Sequence, residues 1–211
     1  MSEKTESILI NIEESFDKGI ELARELFLNG SIFIYPTDTI YGFGGNPLNE
    51  NAIKKISQVK GKKDWRRYIF LISNIEILKQ YTDVNSERYL DFLLSIWPNP
   101  VSVILKLNKR YQEILGSETG AFRIPNHRFC LKLLSELKMP LISTSVNRTG
   151  TEPLNDPSLI VQEFANEVDA IFYSSQKSFV EASTVIDLTT GEPKLVREGR
   201  IKFVELIRKL N

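Results

Sequence analysis

Apolar residues recur along this chain in two periods, and the changes between them mark out its elements. Phe16, Ile20, Ala23 and Leu26 are spaced three or four apart, which predicts a helix, and Asn29-Gly30 supplies its stop. An unbroken apolar and aromatic run then predicts a strand at 31–35. A second helix starts near Asn49, carries Ile53 and Ile56 on one face, and ends by Gly61. A short apolar strand is expected at 68–72, followed by helices from Asn74 and over 86–97, the latter stopped by Pro98 and Pro100. Val101, Val103, Leu105 and Leu107 alternate with other residues, as in a strand with one buried face. "GAFRIP" and "PLISTS" read as strands around a helix at 129–137. A helix at 158–165 leads into "AIFYS". In "STVIDLTTGEPKLVREG" two strands flank a glycine turn, which predicts an antiparallel pair, and 202–210 closes as a helix. Strands alternating with helices and ending in a hairpin predict a single α/β domain over 1–211, core about 12–205, with a mixed, twisted sheet flanked by helices.

Composition narrows the chemistry. The 211 residues are 42% hydrophobic and 26% charged, enough to bury a large core without disulfide or metal staples. Twenty-seven basic residues balance 27 acidic ones, so no overall positive field gathers nucleic acid. One cysteine, Cys130, excludes an internal disulfide and a cysteine-rich zinc site; one histidine, His127, leaves little for a histidine metal site or a Ser-His-Asp triad. His127, close to Pro125 in a turn, reads as structural. The charged start "MSEKTESILINIEES" is neither a signal peptide nor a membrane anchor, so the expectation is a cytoplasmic protein without membrane contact. The sequon Asn147-Arg148-Thr149 carries no weight in that setting.

Several strands end in polar residues that a core would not select. Thr37, Asp38 and Thr39 follow the first strand and lead to Gly42, Gly44 and Gly45. Such a stretch is either a flexible loop or a ligand loop whose hydroxyls grip a polar molecule while glycines let the backbone approach. Thr119 and Arg123 flank "GAFRIP", Ser143 to Asn147 follow "PLI", Ser183 and Thr184 open "STVIDL", and Arg197 closes "KLVR". Ligands of α/β sheets gather in the crevice outside strand ends, so an open ligand crevice is expected there. The run "KGKKDWRR", 60–67, is either a solvated or RNA-binding loop with Trp65 as a stacking group, or a cation cluster for nucleotide phosphates assisted by Arg123 and Arg197. There is no Walker loop and no dinucleotide fingerprint.

These residues resemble a known family. "YPTDTIYGFG" is similar to the YPTDTxYGLG signature of YrdC-type threonylcarbamoyl-AMP synthases. "KGK", "WPNPVSVIL", "FRIPNH", "STSVN", "STVIDL" and "VREG" follow in the family's order across about 30–200. The resemblance implies a YrdC-like fold and an enzyme that joins L-threonine, bicarbonate and ATP into threonylcarbamoyl-adenylate and pyrophosphate, with Mg²⁺ on the phosphates. Transferase proteins would then carry the group to tRNA. The resemblance assigns Thr39, with Thr37 beside it, Arg123, Ser143 and Ser183 to threonine. It assigns Lys60, Lys62, Thr119, Ser145, Asn147 and Arg197 to ATP, with Lys60 and Lys62 as the catalytic cations. No protein metal ligand is implied. The family's Lys-x-Arg is here Lys60-Gly61-Lys62, and Arg66 or Arg67 is the expected replacement guanidinium at the ATP site. An RNA-binding module and a nucleotide-binding paralogue without this activity are the alternatives.

Overall fold

The computed structural model describes residues 6–61, 68–175 and 181–210. In chain order its elements are β1 (Ile8–Asn11), α1 (Phe16–Leu28), β2 (Phe33–Tyr35), β3 (Gly42–Gly44), α2 (Glu50–Lys60), β4 (Ile69–Leu71), α3 (Ile75–Tyr81), α4 (Glu87–Ile96), β5 (Val101–Lys106), α5 (Lys109–Leu115), β6 (Thr119–Arg123), α6 (Arg128–Leu137), β7 (Leu141–Ser145), α7 (Pro157–Phe164), β8 (Ala170–Tyr173), β9 (Thr184–Asp187), β10 (Lys194–Arg197) and α8 (Phe203–Ile207). The strands form one mixed sheet in the order β1-β8-β2-β3-β7-β4-β6-β5-β9-β10. Local chemistry sets several boundaries. The Asn49 side chain accepts from the Asn51 and Ala52 N–H groups at the start of α2, and Gly61 ends that helix with φ 64°. Asp156 caps α7 in the same way, with Pro157 in its first turn.

Three elements depart from the periodicity. The glycine-rich stretch expected to be a loop is strand β3, hydrogen-bonded between β2 and β7. Its glycines make room within the sheet: a Cβ on Gly44 would lie 2.6 Å from the Phe33 ring and 2.9 Å from that of Tyr35. Strand β1 has no alternation and leaves Ile8 and Leu9 about half exposed; it exists because β8, some 160 residues on, pairs with it. Helix α5 buries only Leu115, so its apolar signal is faint, although Asn108 caps it.

The two faces of the sheet are covered unequally. One face carries Ile34, Phe43, Phe70, Val103, Phe122, Ile142 and Ile186 into a large core with residues of α2, α3, α4 and α7. On the other, Phe33, Tyr35, Leu71, Leu141 and Phe172 pack against α1 and α6 through Phe27, Phe129, Leu133 and Leu134. That second layer thins out past Leu71 and Leu141, with Ile69 half-buried at its margin. Beyond it Ile104, Thr119, Ala121 and Val185 are only half-buried. Among the described residues no helix is long and apolar enough to cross a membrane.

Candidate active site

The uncovered part of the sheet is where the polar residues meet. Register decides this. Leu71 pairs with Arg123 and Leu141, Ile69 pairs with Ala121 and Ser143, and Val185 pairs with Ser102 and Arg197. Side chains alternate along a strand while lateral partners share a face, so Arg123, Ser143, Ser145 and Arg197 all lie on the uncovered side. The expected crevice outside the strand ends is therefore a trough across the sheet's face. A cavity of about 270 Å³ opens there, lined by Thr39, Ile40, Tyr41, Ile69, Arg123, Ser143, Thr144, Ser145, Ala182, Ser183 and Arg197. Among the described residues its charged lining groups are two arginines and no carboxylate, which suits an anion.

Arg123 is the more deeply buried of the two arginines, 2% exposed. Its Nη1 donates to Thr39 Oγ1 at 3.1 Å, and Nη2 stands 3.4 Å from Asp38 Oδ1. The second distance is too long for a good hydrogen bond, and Arg123 Nε and Asp38 Oδ1 have no hydrogen-bond partner among the described residues. A buried charge is thus held in place without being saturated. Thr37 Oγ1 donates to the Ile40 carbonyl at 2.8 Å, so the 2.9 Å contact between the two threonine hydroxyls is donated by Thr39. Thr37 also accepts from the Thr39 N–H at 3.0 Å. Thr37 is consequently consumed in shaping the turn, and Thr39, which also accepts from Arg123, keeps one lone pair. Asp38 Oδ2 accepts from the Asn126 N–H at 3.1 Å, which ties this turn to the end of β6.

The opposite wall comes from β9 and β10. Arg197 Nη2 donates to the Ser183 carbonyl at 2.8 Å, and Ser183 Oγ lies 2.9 Å from Ser102 Oγ. Arg197 is exposed as a residue, yet its guanidinium is drawn below the usual arginine range by desolvation first and by the charge of Arg123 second. Like charges brought together this way favour a bound anion. Residues 197–201 wrap over β9: Gly199 N–H donates to Thr184 Oγ1 at 3.0 Å, Arg200 N–H to the Ala182 carbonyl at 3.1 Å, and Thr184 Oγ1 to the Ile201 carbonyl. Arg200 Nη1 then reaches the Asp38 carbonyl at 3.2 Å. The strap joins both walls.

At the third side, Lys60 lies 4% exposed beneath the end of β7. Its ammonium donates to the Ser145 carbonyl, to the Asn147 carbonyl at 3.1 Å and to Asn147 Oδ1 at 2.8 Å, and stands 5.4 Å from the centre of the Phe43 ring. The loop beyond is fastened by Arg148, whose guanidinium binds Glu167 through two bonds of 2.9 and 2.6 Å and Glu163 at 2.9 Å. It also donates to the Val59 carbonyl at 2.5 Å and lies 4.6 Å from the Phe164 ring centre. Replacing Arg148 by methionine is expected to cost about 1–2 kcal/mol, allowing for solvent at a network about one-third exposed. Lysine there should recover little, because it cannot form the paired contact. Urea unfolding checks both: the midpoint should fall in each variant with the slope unchanged.

The family model Sua5_yciO_yrdC, described as "Telomere recombination", matches residues 25–199. The chain belongs to the Sua5/YciO/YrdC family. The threonylcarbamoyl-AMP synthase of Pyrococcus abyssi is 29% identical over 203 residues, 95% of this chain and 60% of that protein. This chain therefore spans well under two thirds of that relative. The crystal structure of P. abyssi Sua5 complexed with L-threonine matches with a TM-score of 0.86 at 28% identity, covering 97% of this chain and 61% of that one. Escherichia coli YciO matches with a TM-score of 0.79 at 27% identity, covering 93% of this chain and 95% of the other.

Of the residues that the Sua5/YciO/YrdC resemblance singles out, Thr39, Arg123, Ser143, Ser145, Ser183 and Arg197 line one cavity. Thr37, Lys60 and Asn147 stand behind that lining, bonded to the backbone and side chains that shape it. Thr119 is on the same face at the far end of β6, outside the cavity wall and two residues beyond Ala121. Lys62, Trp65, Arg66 and Arg67 lie outside the described residues. Sequence reasoning missed Asp38 as the partner of Arg123, Ser102 behind Ser183, and Arg200 as the cross-tie. Only the Asp38 position carried a signal, being flanked by two named threonines. Burial pushes the Cys130 thiol up, and desolvation lowers His127, whose Nδ1 is buried without a partner among the described residues; neither lines the cavity.

Proposed function

We propose that this protein is an L-threonylcarbamoyladenylate synthase. The observation that carries the reading is a buried, incompletely paired Arg123 in the wall of a cationic, hydroxyl-lined cavity. A guanidinium of this kind suits the carboxylate of a small amino acid, with Thr39, Ser143 and Ser183 around its polar groups. The cavity falls just under the ~300–1,000 Å³ range of ligand pockets, so ATP would extend from it along the open trough towards Thr119. The similarity to a protein solved with L-threonine supports the choice of amino acid.

The chemistry asks little of a protein base. The threonine amine takes up carbon dioxide from bicarbonate and loses a proton to solvent, giving an N-carboxylate. Its oxygen attacks the α-phosphorus, the bond to the β-phosphate oxygen breaks, and its electron pair leaves with pyrophosphate. Alignment and neutralisation of spreading negative charge are the main demands. Arg123 would hold the amino acid, Arg197 would face the phosphates, and Lys60 and Asn147 would support the β7 end. Among the described residues no group of three or more His, Cys, Asp or Glu side chains could hold a metal ion. Mg²⁺ would come as the counter-ion of the triphosphate, held by the phosphate oxygens and screening their charge. The product is a labile mixed anhydride, so an acyl-transfer step onto an acceptor such as tRNA must consume it.

The test is incubation with ATP, bicarbonate, Mg²⁺ and each amino acid in turn, with mass detection of an acyl-adenylate. Threonylcarbamoyl-AMP formed with threonine alone is the expected result. P. abyssi Sua5 and E. coli YciO are matched at 28% and 27% identity, a level that supports the family more than one activity, and nucleotide binding without this transfer is the second reading. ATP binding with no adduct from any amino acid would select it.

A further inference from the structure

We infer that His127 is a positioning residue for the amino-acid site, acting through Asp38, and that its protonation and the binding of a carboxylate at Arg123 favour one another. The inference rests on the amino-acid reading given above. Among the described residues three buried side-chain atoms lack a hydrogen-bond partner: Asp38 Oδ1, Arg123 Nε and His127 Nδ1. They belong to one neighbourhood. Arg123 Nη2 stands 3.4 Å from Asp38 Oδ1, and Asp38 Oδ2 accepts from the N–H of Asn126, the residue before His127. The backbone of His127 is fixed as well. It stands at the N-cap of α6, where its carbonyl accepts from the Leu131 N–H at 2.9 Å, while its imidazole makes no cap bond.

The charged groups facing the imidazole are Asp38 from the turn after β2, Glu13 from the segment after β1, and Arg123 from β6. Glu13 is engaged elsewhere: Oε1 accepts from Ser174 Oγ and Oε2 from the Ser175 N–H. Arg128, next in the chain, has its guanidinium 4.4 Å from the centre of the Phe16 ring. Asp38 Oδ1 is therefore the facing acceptor that lacks a donor among the described residues. A carboxylate oxygen only accepts, and a protonated imidazole donates from both nitrogens, Nδ1 included. Asp38 thus stands between two cations: Arg123, at a poor distance, and His127 once it gains a proton. Desolvation holds His127 below the ordinary histidine value, outweighing the upward pull of Asp38 and Glu13, and Arg123 lowers it further. The imidazole is then mostly neutral at pH 7. A ligand carboxylate on Arg123 competes with Asp38 for the guanidinium and adds a negative charge to the neighbourhood. Both effects favour the imidazolium. The bound protein holds more protons than the unbound one, so affinity rises as pH falls through the His127 titration.

The experiment follows the imidazole signals by proton NMR across the histidine range, with and without saturating L-threonine, on the full chain made without a histidine tag. His127 is the single histidine, so its C2 proton identifies itself. Threonine should raise the midpoint by about half a pH unit, which by reciprocity is about a threefold gain in affinity from the neutral to the protonated imidazole. Calorimetric titration with threonine on either side of the midpoint reads that gain directly. His127→Asn, whose amide does not titrate, should bind threonine equally well at both pH values. A loss of packing alone would weaken binding at both without erasing their ratio. A midpoint that bound threonine leaves unmoved would overturn the inference and leave the amino-acid reading standing, and so would a His127→Asn protein that keeps the parent's pH dependence. A parent protein that binds no threonine at either pH would overturn the amino-acid reading and this inference with it.

Discussion

Threonine binding is expected to collapse when Arg123 is replaced, and the choice of replacement separates binding from folding. Arg123 and Asp38 are both almost fully buried, with Nη2 and Oδ1 3.4 Å apart. Methionine in place of Arg123 leaves the Asp38 carboxylate alone in a dry setting, at a cost of about 3–5 kcal/mol in stability. Lysine keeps a positive charge near Asp38 but loses the planar fork and the contact from Nη1 to Thr39. Arg123→Lys should therefore melt close to the parent and still lose about 2–5 kcal/mol of affinity for a carboxylate ligand. Titration of both variants with L-threonine, beside their thermal unfolding, is the measurement. If Arg123→Lys stays folded and keeps its threonine affinity within twofold of the parent, Arg123 is a structural ion-pair partner and the amino-acid site lies elsewhere.

The second large effect is expected at Gly199, a residue outside the cavity lining. A Cβ at this position would stand 2.2 Å from the Ala182 carbonyl oxygen, 2.6 Å from the Ser183 carbonyl carbon and 2.7 Å from its oxygen. All three are backbone atoms, so no side chain can rotate away. Gly199→Ala must push the strap off β9, and overpacking of this kind costs about 1–3 kcal/mol. The displacement acts on the site because the same strap joins Arg197 at Ser183 to Arg200 at the Asp38 carbonyl. Ligand affinity should fall at least about tenfold, for a 1.4 kcal/mol loss. A lower melting temperature and weaker binding in one variant would establish the strap as a support of the cavity. Unchanged values of both would show that the backbone shifts freely, and the strap would then have no such role.

Much of this architecture could be read locally. The spacing of Phe16, Ile20 and Ala23 predicts α1, the residues Asn49 and Gly61 bracket α2, and the turn around Gly191 joins the antiparallel pair β9 and β10. These signals depend on neighbours along the chain, so they survive in the bare sequence. The chemical inventory was legible too, since arginines and hydroxyls recur at the edges of apolar runs, and the order of motifs pointed to the Sua5/YciO/YrdC family. What the chain alone could not decide was which face each residue takes. Ser143 and Arg123 share a wall because β4 separates their strands and its register aligns both, a fact of pairing between segments far apart in sequence. The same holds for Gly42 and Gly44, which look like loop residues until the rings of Phe33 and Tyr35 fill the space above them. Only the folded protein shows that the amide of Asn147 is bonded to Lys60, to Ser145 and to the carbonyls of Arg148 and Thr151. Donors and acceptors are assigned by contacts in space, and the sequence carries no measure of those.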